Sequence, residues 1–304
     1  MWSSPGWWAA AVSYEVMMVM FGVGVGLLVG ATGVGGGSIM TPLLVIVAGV
    51  PPVGAIGTDL FYAAVTKTVG GASHFKKSTV DLRLSLQLAV GSVPAAIGAV
   101  FLLSYLNDNL GFAIDTPLII VVAIAIAICG IAMLWQTLFP PPLRPDRAPK
   151  NQWIAAIVSG LLVGFVLGLT SAGSGAILAL LLIAVFQLAP HRVVGTDVFH
   201  AALLLWAASI GNIVLGNVDF RLAGLLLLGS IPGVLIGAKI SVKLPALALR
   251  CALAGVLLAA AGSLAVKAGL PVPPAGLVIW FATVALGVVV MYRHVRQTHP
   301  ELPA

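Results

Sequence analysis

The chain has 304 residues, of which 60% are apolar and only 8% are Lys, Arg, Asp or Glu. A soluble globular chain carries roughly 25% charged residues, so a water-exposed surface cannot be assembled from these. The net charge of +6 does not indicate nucleic acid, because the basic residues sit in short connections between apolar runs that call for lipid around them.

The chain opens on MWSSPGWWAAAVSYEV, which lacks the Lys or Arg that precedes the apolar core of a secretory signal. Trp2, Trp7 and Trp8 suit an aromatic belt at the membrane interface. Apolar segments then follow at 10–31, 37–49, 55–73, 82–106, 114–139, 152–169, 175–188, 194–213, 221–241, 246–268 and 274–293. A membrane-crossing helix needs about 20 residues. Segments 37–49 and 175–188 are shorter, and each follows a Gly-rich break, so they are predicted to be half-helices or re-entrant pieces. Residues 140–151, PPPLRPDRAPKN, have the Pro and charge content of an exposed loop. The predicted class is an all-α polytopic membrane protein. Its predicted parts are a first transmembrane repeat over 1–139, a cytoplasmic linker over 140–151, a second transmembrane repeat over 152–270, and a final transmembrane helix with a cytoplasmic tail over 271–304. Cys129 and Cys251 lie inside apolar runs with no CxxC spacing or nearby His, which reads as packed free thiols rather than a metal site or disulfide.

The linker separates two copies at a constant offset of 138, the difference between 160 and 22. Gly22, Gly26 and Gly30 recur as Gly160, Gly164 and Gly168; Thr32, Gly35 and Gly37 recur as Thr170, Gly173 and Gly175. Gly57-Thr58-Asp59 recurs as Gly195-Thr196-Asp197, Asp81 and Arg83 as Asp219 and Arg221, and Gly91, Ser92 and Pro94 as Gly229, Ser230 and Pro232. The register holds without a gap over about seventy residues, which marks an internal repeat.

Short cytoplasmic loops are enriched in Lys and Arg. Lys76, Lys77 and Arg83, then Arg144, Arg147 and Lys150, then Lys239, Lys243 and Arg250, and finally Arg293 and Arg296 therefore mark four inside segments. The loops at 107–111 and 214–220 carry no basic residue and belong outside. The loop after the third segment is then inside in one copy and outside in the other, so the two copies are predicted to be inverted. The N-terminus falls outside and the C-terminus in the cytoplasm. Inverted repeats with helices interrupted at matching places point to a secondary transporter whose site lies where the breaks meet.

Gly30-Ala-Thr-Gly-Val-Gly-Gly-Gly-Ser38 is not a dinucleotide loop, because no strand precedes it. Unwound backbone at membrane depth survives only when buried in protein or lining a cavity. A half-helix starting near Ser38 would aim its positive end at that gap. Thr32, Gly33, Gly35, Gly36, Gly37 and Ser38 from one copy, with Thr170, Ser171, Gly173, Ser174 and Gly175 from the other, are the candidate cradle for a sulfonate, sulfite or carboxylate. A tight packing turn is the competing reading. Thr58, Asp59, Thr196 and Asp197 are read either as helix caps or as coupling groups, since the two Asp are the only carboxylates within the candidate core. Lys67 and His200, whose repeat counterpart is Tyr62, are added to the site because ionisable groups inside a membrane are costly and mark function. Lys67 either lines the anion pathway or pairs with Asp197, and a hydrogen-bonded structural role for His200 stays open. Asp81 and Asp219 read as interfacial caps. No Ser-His-Asp, HExxH or paired-carboxylate arrangement is present, so no enzyme is expected, and no cofactor.

Gly26, Gly30, Thr32-Gly33, Gly35-Gly36-Gly37, Pro42-Leu43-Leu44 and the later Gly57-Thr58-Asp59, with both elements repeated, resemble the sulfite exporter TauE/SafE family of bacterial membrane proteins over nearly the whole chain. The second copy departs from the pattern, with Leu180 in place of Pro42 and Ser171 and Ser174 in place of Gly33 and Gly36. The resemblance implies a multi-pass plasma-membrane transporter of small sulfur-containing anions such as sulfite, sulfoacetate or sulfolactate, usually outward. An anion channel, or a carrier of another small organic anion, is the alternative. The expected partners are that anion and membrane lipid, with a homodimer as the assembly.

Overall fold

A computed structural model of the chain describes residues 6–32, 37–76, 78–139, 151–173, 175–241 and 246–271, with isolated positions at 282, 285 and 289. Apart from those three positions, the predicted segment 274–293 lies outside the described residues, as does nearly all of the linker 140–151. The described chain is helical: α1 Gly6–Thr32, α2 Gly37–Ile46, α3 Pro52–Lys76, α4 Leu82–Leu110, α5 Asp115–Leu138, α6 Gln152–Thr170, α7 Ala176–Ala184, α8 Pro190–Val214, α9 Phe220–Ser241 and α10 Ala246–Lys267. Seven of these are long and apolar enough to cross a membrane. They are α1, α4, α5, α6, α8, α9 and α10, and the protein is an all-α polytopic membrane protein. Helix α3 has 25 residues, about 37 Å at 1.5 Å per residue. It carries Asp59, Lys67 and Lys76. With 10 and 9 residues, α2 and α7 reach about 15 Å, half of a ~30 Å hydrocarbon layer.

Helix starts follow local chemistry. Pro52 and Pro190 open α3 and α8, at the position where a missing N–H costs nothing. Asp81 accepts a hydrogen bond from the N–H of Leu84 at 3.0 Å, and Asp219 accepts from that of Leu222 at 2.9 Å. Each caps the helix that follows. Thr58-Asp59 and Thr196-Asp197 therefore do not stand at helix starts. Both pairs lie in the second turn, because proline opens each helix earlier than the apolar pattern indicated.

A shift of 138 residues carries α1 to α6, α2 to α7, α3 to α8 and the start of α4 to that of α9, and α5 corresponds to α10 at a shorter shift because α9 ends sooner than α4. The packing obeys the same correspondence. Helix α1 lies against α9 and α6 against α4; α3 touches α9 while α8 touches α4; α2 rests on α3 and α10, and α7 on α8 and α5. Helices α3 and α8 pack on each other, as do α5 and α10. Glycines make the tightest of these contacts possible. A Cβ at Gly26 would stand 2.4 Å from the Ser230 carbonyl oxygen, and one at Gly164 2.2 Å from that of Ser92. The Gly-xxx-Gly rows are thus an intrachain packing device.

The mutual contact of α3 and α8 is centred on a hydrogen bond from Trp206 Nε1 to Thr68 Oγ1 at 2.8 Å, joining a residue to its own repeat counterpart. The two helices run antiparallel. Thr58, near the start of α3, meets the N–H of Asp219 beyond the end of α8 at 3.0 Å. Thr196, near the start of α8, meets the N–H of Asp81 beyond the end of α3 at 2.9 Å. Leu60, Leu84, Leu88, Ile126, Leu167, Leu178 and Leu182 are fully buried between helices, whereas Phe101, Ile128, Leu161, Leu228 and Leu235 face outward. An outward apolar face of that kind suits lipid.

Candidate functional site

The repeated Gly-Thr-Asp triplet divides its work among three directions. Gly57 allows the Asn217 carbonyl oxygen within 2.4 Å of where its Cβ would be, and Gly195 allows that of Thr79 within 2.6 Å. Thr58 and Thr196 then receive an N–H from the same two loops. The third member, Asp59 or Asp197, is buried. Two residues of the triplet therefore hold a loop of the other copy, and only the carboxylate remains for the interior.

Asp59 is fully buried. Its Oδ2 accepts the N–H of Thr41 at 3.1 Å and also the Thr41 hydroxyl. Thr41 lies in the first turns of α2, so the carboxylate occupies the positive end of that short helix. The Ser171 hydroxyl faces the carboxyl from the end of α6, and neither the other oxygen, Oδ1, nor Ser171 Oγ has a partner in good hydrogen-bond geometry. These atoms meet at Gly37. A Cβ there would stand 2.8 Å from the Ser171 carbonyl oxygen, 3.4 Å from Ser171 Oγ and 3.9 Å from Asp59 Oδ1. The start of α2 and the end of α6 thus abut at a buried polar point.

The turn between α6 and α7 owes its shape to glycine. Gly173 and Gly175 have φ of +110° and +118°, and Ser171 sits at φ +56° as the left-handed cap of α6, a region that non-glycine residues seldom adopt. Thr170 donates its hydroxyl to the Val166 carbonyl at 2.7 Å and accepts the Ala172 N–H at 3.2 Å. Its hydroxyl serves the turn itself. Ser38 is buried at the start of α2. Gly33, Gly35, Gly36 and Ser174 lie outside the described residues, and for Thr32 the backbone alone, at the end of α1, is described.

Asp197 differs from its counterpart. Its Oδ2 lies 3.4 Å from Lys67 Nζ, with the two side chains 8% and 6% exposed. Of the two readings open for Lys67, the geometry corresponds to the pair across the repeats. His200 is fully buried, with Nδ1 3.1 Å from the Ser85 carbonyl and Nε2 3.2 Å from Ser92 Oγ. A carbonyl only accepts, so Nδ1 carries the proton and the Nε2 of a neutral ring accepts from Ser92. Both ring nitrogens are thereby committed to α4. Tyr62 holds the equivalent place facing Ser230. The candidate residues thus form an Asp59–Thr41–Ser171–Gly37 group, an Asp197–Lys67 pair and a His200 post between α8 and α4. The hydrogen bonds of Thr41, Ser85 and Ser92 were not foreseen. Thr41 was detectable as one of two polar residues, with Ser38, in a short apolar helix, and Ser92 as a member of the repeat.

Residues 18–264 match the family described as sulfite exporter TauE/SafE. The chain is 38% identical over 219 residues to the probable membrane transporter protein YjnA of Bacillus subtilis (strain 168), covering 70% of this chain and 84% of that one. It is 28% identical over 208 residues to the probable membrane transporter protein YdhB of the same organism, covering 67% and 80%. No solved structure gives a significant match.

Proposed function

The chain belongs to the sulfite exporter TauE/SafE family of probable membrane transporters, and we propose that it is a secondary carrier exporting small sulfur-containing anions such as sulfite, sulfoacetate or sulfolactate across a bacterial plasma membrane. In this reading the copies are inverted-topology repeats, with the N-terminus outside and the C-terminus in the cytoplasm. Helices α1 with α2 and α6 with α7 are interrupted helices, and the anion binds where the interruptions meet.

The observation that supports this best is the contact of Gly37 with Ser171. It sets the start of α2 against the end of α6 between helices, with the buried Asp59 carboxyl and Ser171 hydroxyl beside it. Ser38, Ser171, the remaining residues of the two turns and the freed N–H groups of α2 and α7 would offer hydrogen-bond donors to an oxyanion. Neutral donors hold an anion firmly enough to select it and loosely enough to release it. Non-enzymatic transport accords with the family's description.

The test is counterflow in proteoliposomes. Vesicles preloaded with unlabelled sulfoacetate or sulfite should accumulate the labelled anion transiently, and faster than unloaded vesicles. Uptake that is linear in concentration and indifferent to the trans side would indicate a channel and overturn the carrier. No response to either anion would overturn the substrate class.

A further inference from the structure

We propose that Asp59 and Ser171, where they meet beside Gly37 at the start of α2, form a binding site for one small monovalent cation, Na+ or a proton, that neutralises Asp59 and accompanies the transported anion. Its coupling to transport rests on the reading of the chain as an anion carrier; the cation site itself does not.

Three oxygens converge on the face of Gly37: Ser171 O, Ser171 Oγ and Asp59 Oδ1, at 2.8, 3.4 and 3.9 Å from the position of its absent Cβ. Two of the three, Asp59 Oδ1 and Ser171 Oγ, are buried and face each other, and neither has a partner in good hydrogen-bond geometry. A carboxylate, a hydroxyl and an unwound backbone carbonyl are the ligand types that hard monovalent cations take in interrupted helices. One proton on Oδ1 would satisfy the same atoms by donating to Ser171.

Among the described residues, none supplies a fixed positive charge to Asp59. Facing it are Thr41 from α2, Ser171 from the α6–α7 turn and Tyr62 from its own helix. Lys67 is engaged with Asp197, and Lys267 donates to the Val45 carbonyl near the other end of α2. A buried carboxylate without a cation is costly. The repeat shows how the second copy meets that cost: Lys67 neutralises Asp197, but the position equivalent to Lys67 is Leu205, so no lysine stands at the matching place for Asp59. Conversely, the positions equivalent to Thr41 and Ser171 are Ala179 and Gly33, so the oxygen ligands occur only around Asp59. Each copy has either a tethered cation or the oxygens to hold a free one. An anion at the same meeting point would be repelled by Asp59 unless that cation is present, which couples the two.

Thermal unfolding of the purified full chain in lipid nanodiscs tests the site without any anion substrate. One arm titrates NaCl against choline chloride at fixed pH; the other varies pH in choline chloride. The wild type should gain thermal stability in a saturable way in one arm, which identifies the cation as Na+ or a proton. Asp59→Asn should remove that response, and Ser171→Ala should raise the half-saturating cation concentration about tenfold. Asp108→Asn, at an exposed carboxylate in the last turn of α4, should keep it. No response in either arm, or an intact response in Asp59→Asn, overturns the proposal. Should Asp59→Asn not fold, an unchanged half-saturation in Ser171→Ala overturns it instead. An Asp59-dependent response in a protein that shows no sulfoacetate counterflow overturns only the substrate reading.

Discussion

Replacing Lys67 by Met removes one half of an ion pair enclosed by helices. The ammonium stands 3.4 Å from Asp197, and neither side chain is more than 8% exposed. At an effective dielectric of about 20 the attraction is about 5 kcal/mol, and removing one member of a buried pair costs about 3–5 kcal/mol because the other charge is left uncompensated. Asp197 Oδ1 already has no hydrogen-bond partner, so little remains nearby to take over. Lys67→Met should therefore lower the thermal midpoint of the purified protein by about 5–15 °C. Asp197→Asn should do similar damage by stranding the lysine. The double variant has no charge to strand and should recover most of the loss. Midpoints from size-exclusion of heated samples give the cycle directly. Additive effects, with the double variant worse than either single one, would refute a coupled pair. Midpoints at the wild-type value in both single variants would show that the pair does not form in the membrane.

Gly26→Ala places a Cβ 2.4 Å from the Ser230 carbonyl oxygen, whereas Gly24→Ala meets nothing within 4 Å. The first should abolish folded protein in a detergent-stability screen and the second should be neutral, and equal outcomes would contradict the α1–α9 contact. Thr58→Val deletes the acceptor for the Asp219 N–H and should cost about 1–3 kcal/mol, with Thr196→Val costing the same at the Asp81 N–H; a chemical-denaturation comparison showing no loss in either would separate the triplet from the loops. Single cysteines near Lys76 and Arg147, in a chain lacking Cys129 and Cys251, should resist impermeant reagent in whole cells, while those at Asn109 and Asn217 should react. External labelling near Lys76 would sink the inverted topology.

The scaffold was legible because backbone contact leaves glycine as its trace. Gly22, Gly26, Gly30 and their counterparts are in register because carbonyl oxygens of α9 and α4 approach within 2.7 Å of each missing Cβ, and no other residue fits. The short helices were legible from length and the Gly-rich breaks before them. Helix starts were misplaced, since Pro52 and Pro190 open α3 and α8 a turn and a half before the Thr-Asp pairs that resembled caps. The partners of the buried polar groups were the least legible part. Thr41 lies 18 residues from Asp59 and Lys67 lies 130 residues from Asp197. Periodicity along one helix carries no information on what another helix brings to it.

The repeat itself separates scaffold from site. Where the copies agree, the shared residue has a packing or capping task that both halves need: Gly57 and Gly195 admit a loop carbonyl, Thr58 and Thr196 bind that loop, and Asp81 and Asp219 cap the next helix. They also differ around the two carboxylates. Thr41 has Ala179 as its counterpart, Ser171 has Gly33, Lys67 has Leu205 and His200 has Tyr62. A symmetric pair of carboxylates with asymmetric neighbours cannot hold the same charge state by the same means. One is fixed by Lys67 and the other is held by neutral donors with one oxygen left over. If the two halves exchange roles as the carrier turns from one side of the membrane to the other, that difference makes the two end states unequal. A direction of transport can then be set by what Asp59 binds rather than by any difference in the scaffold.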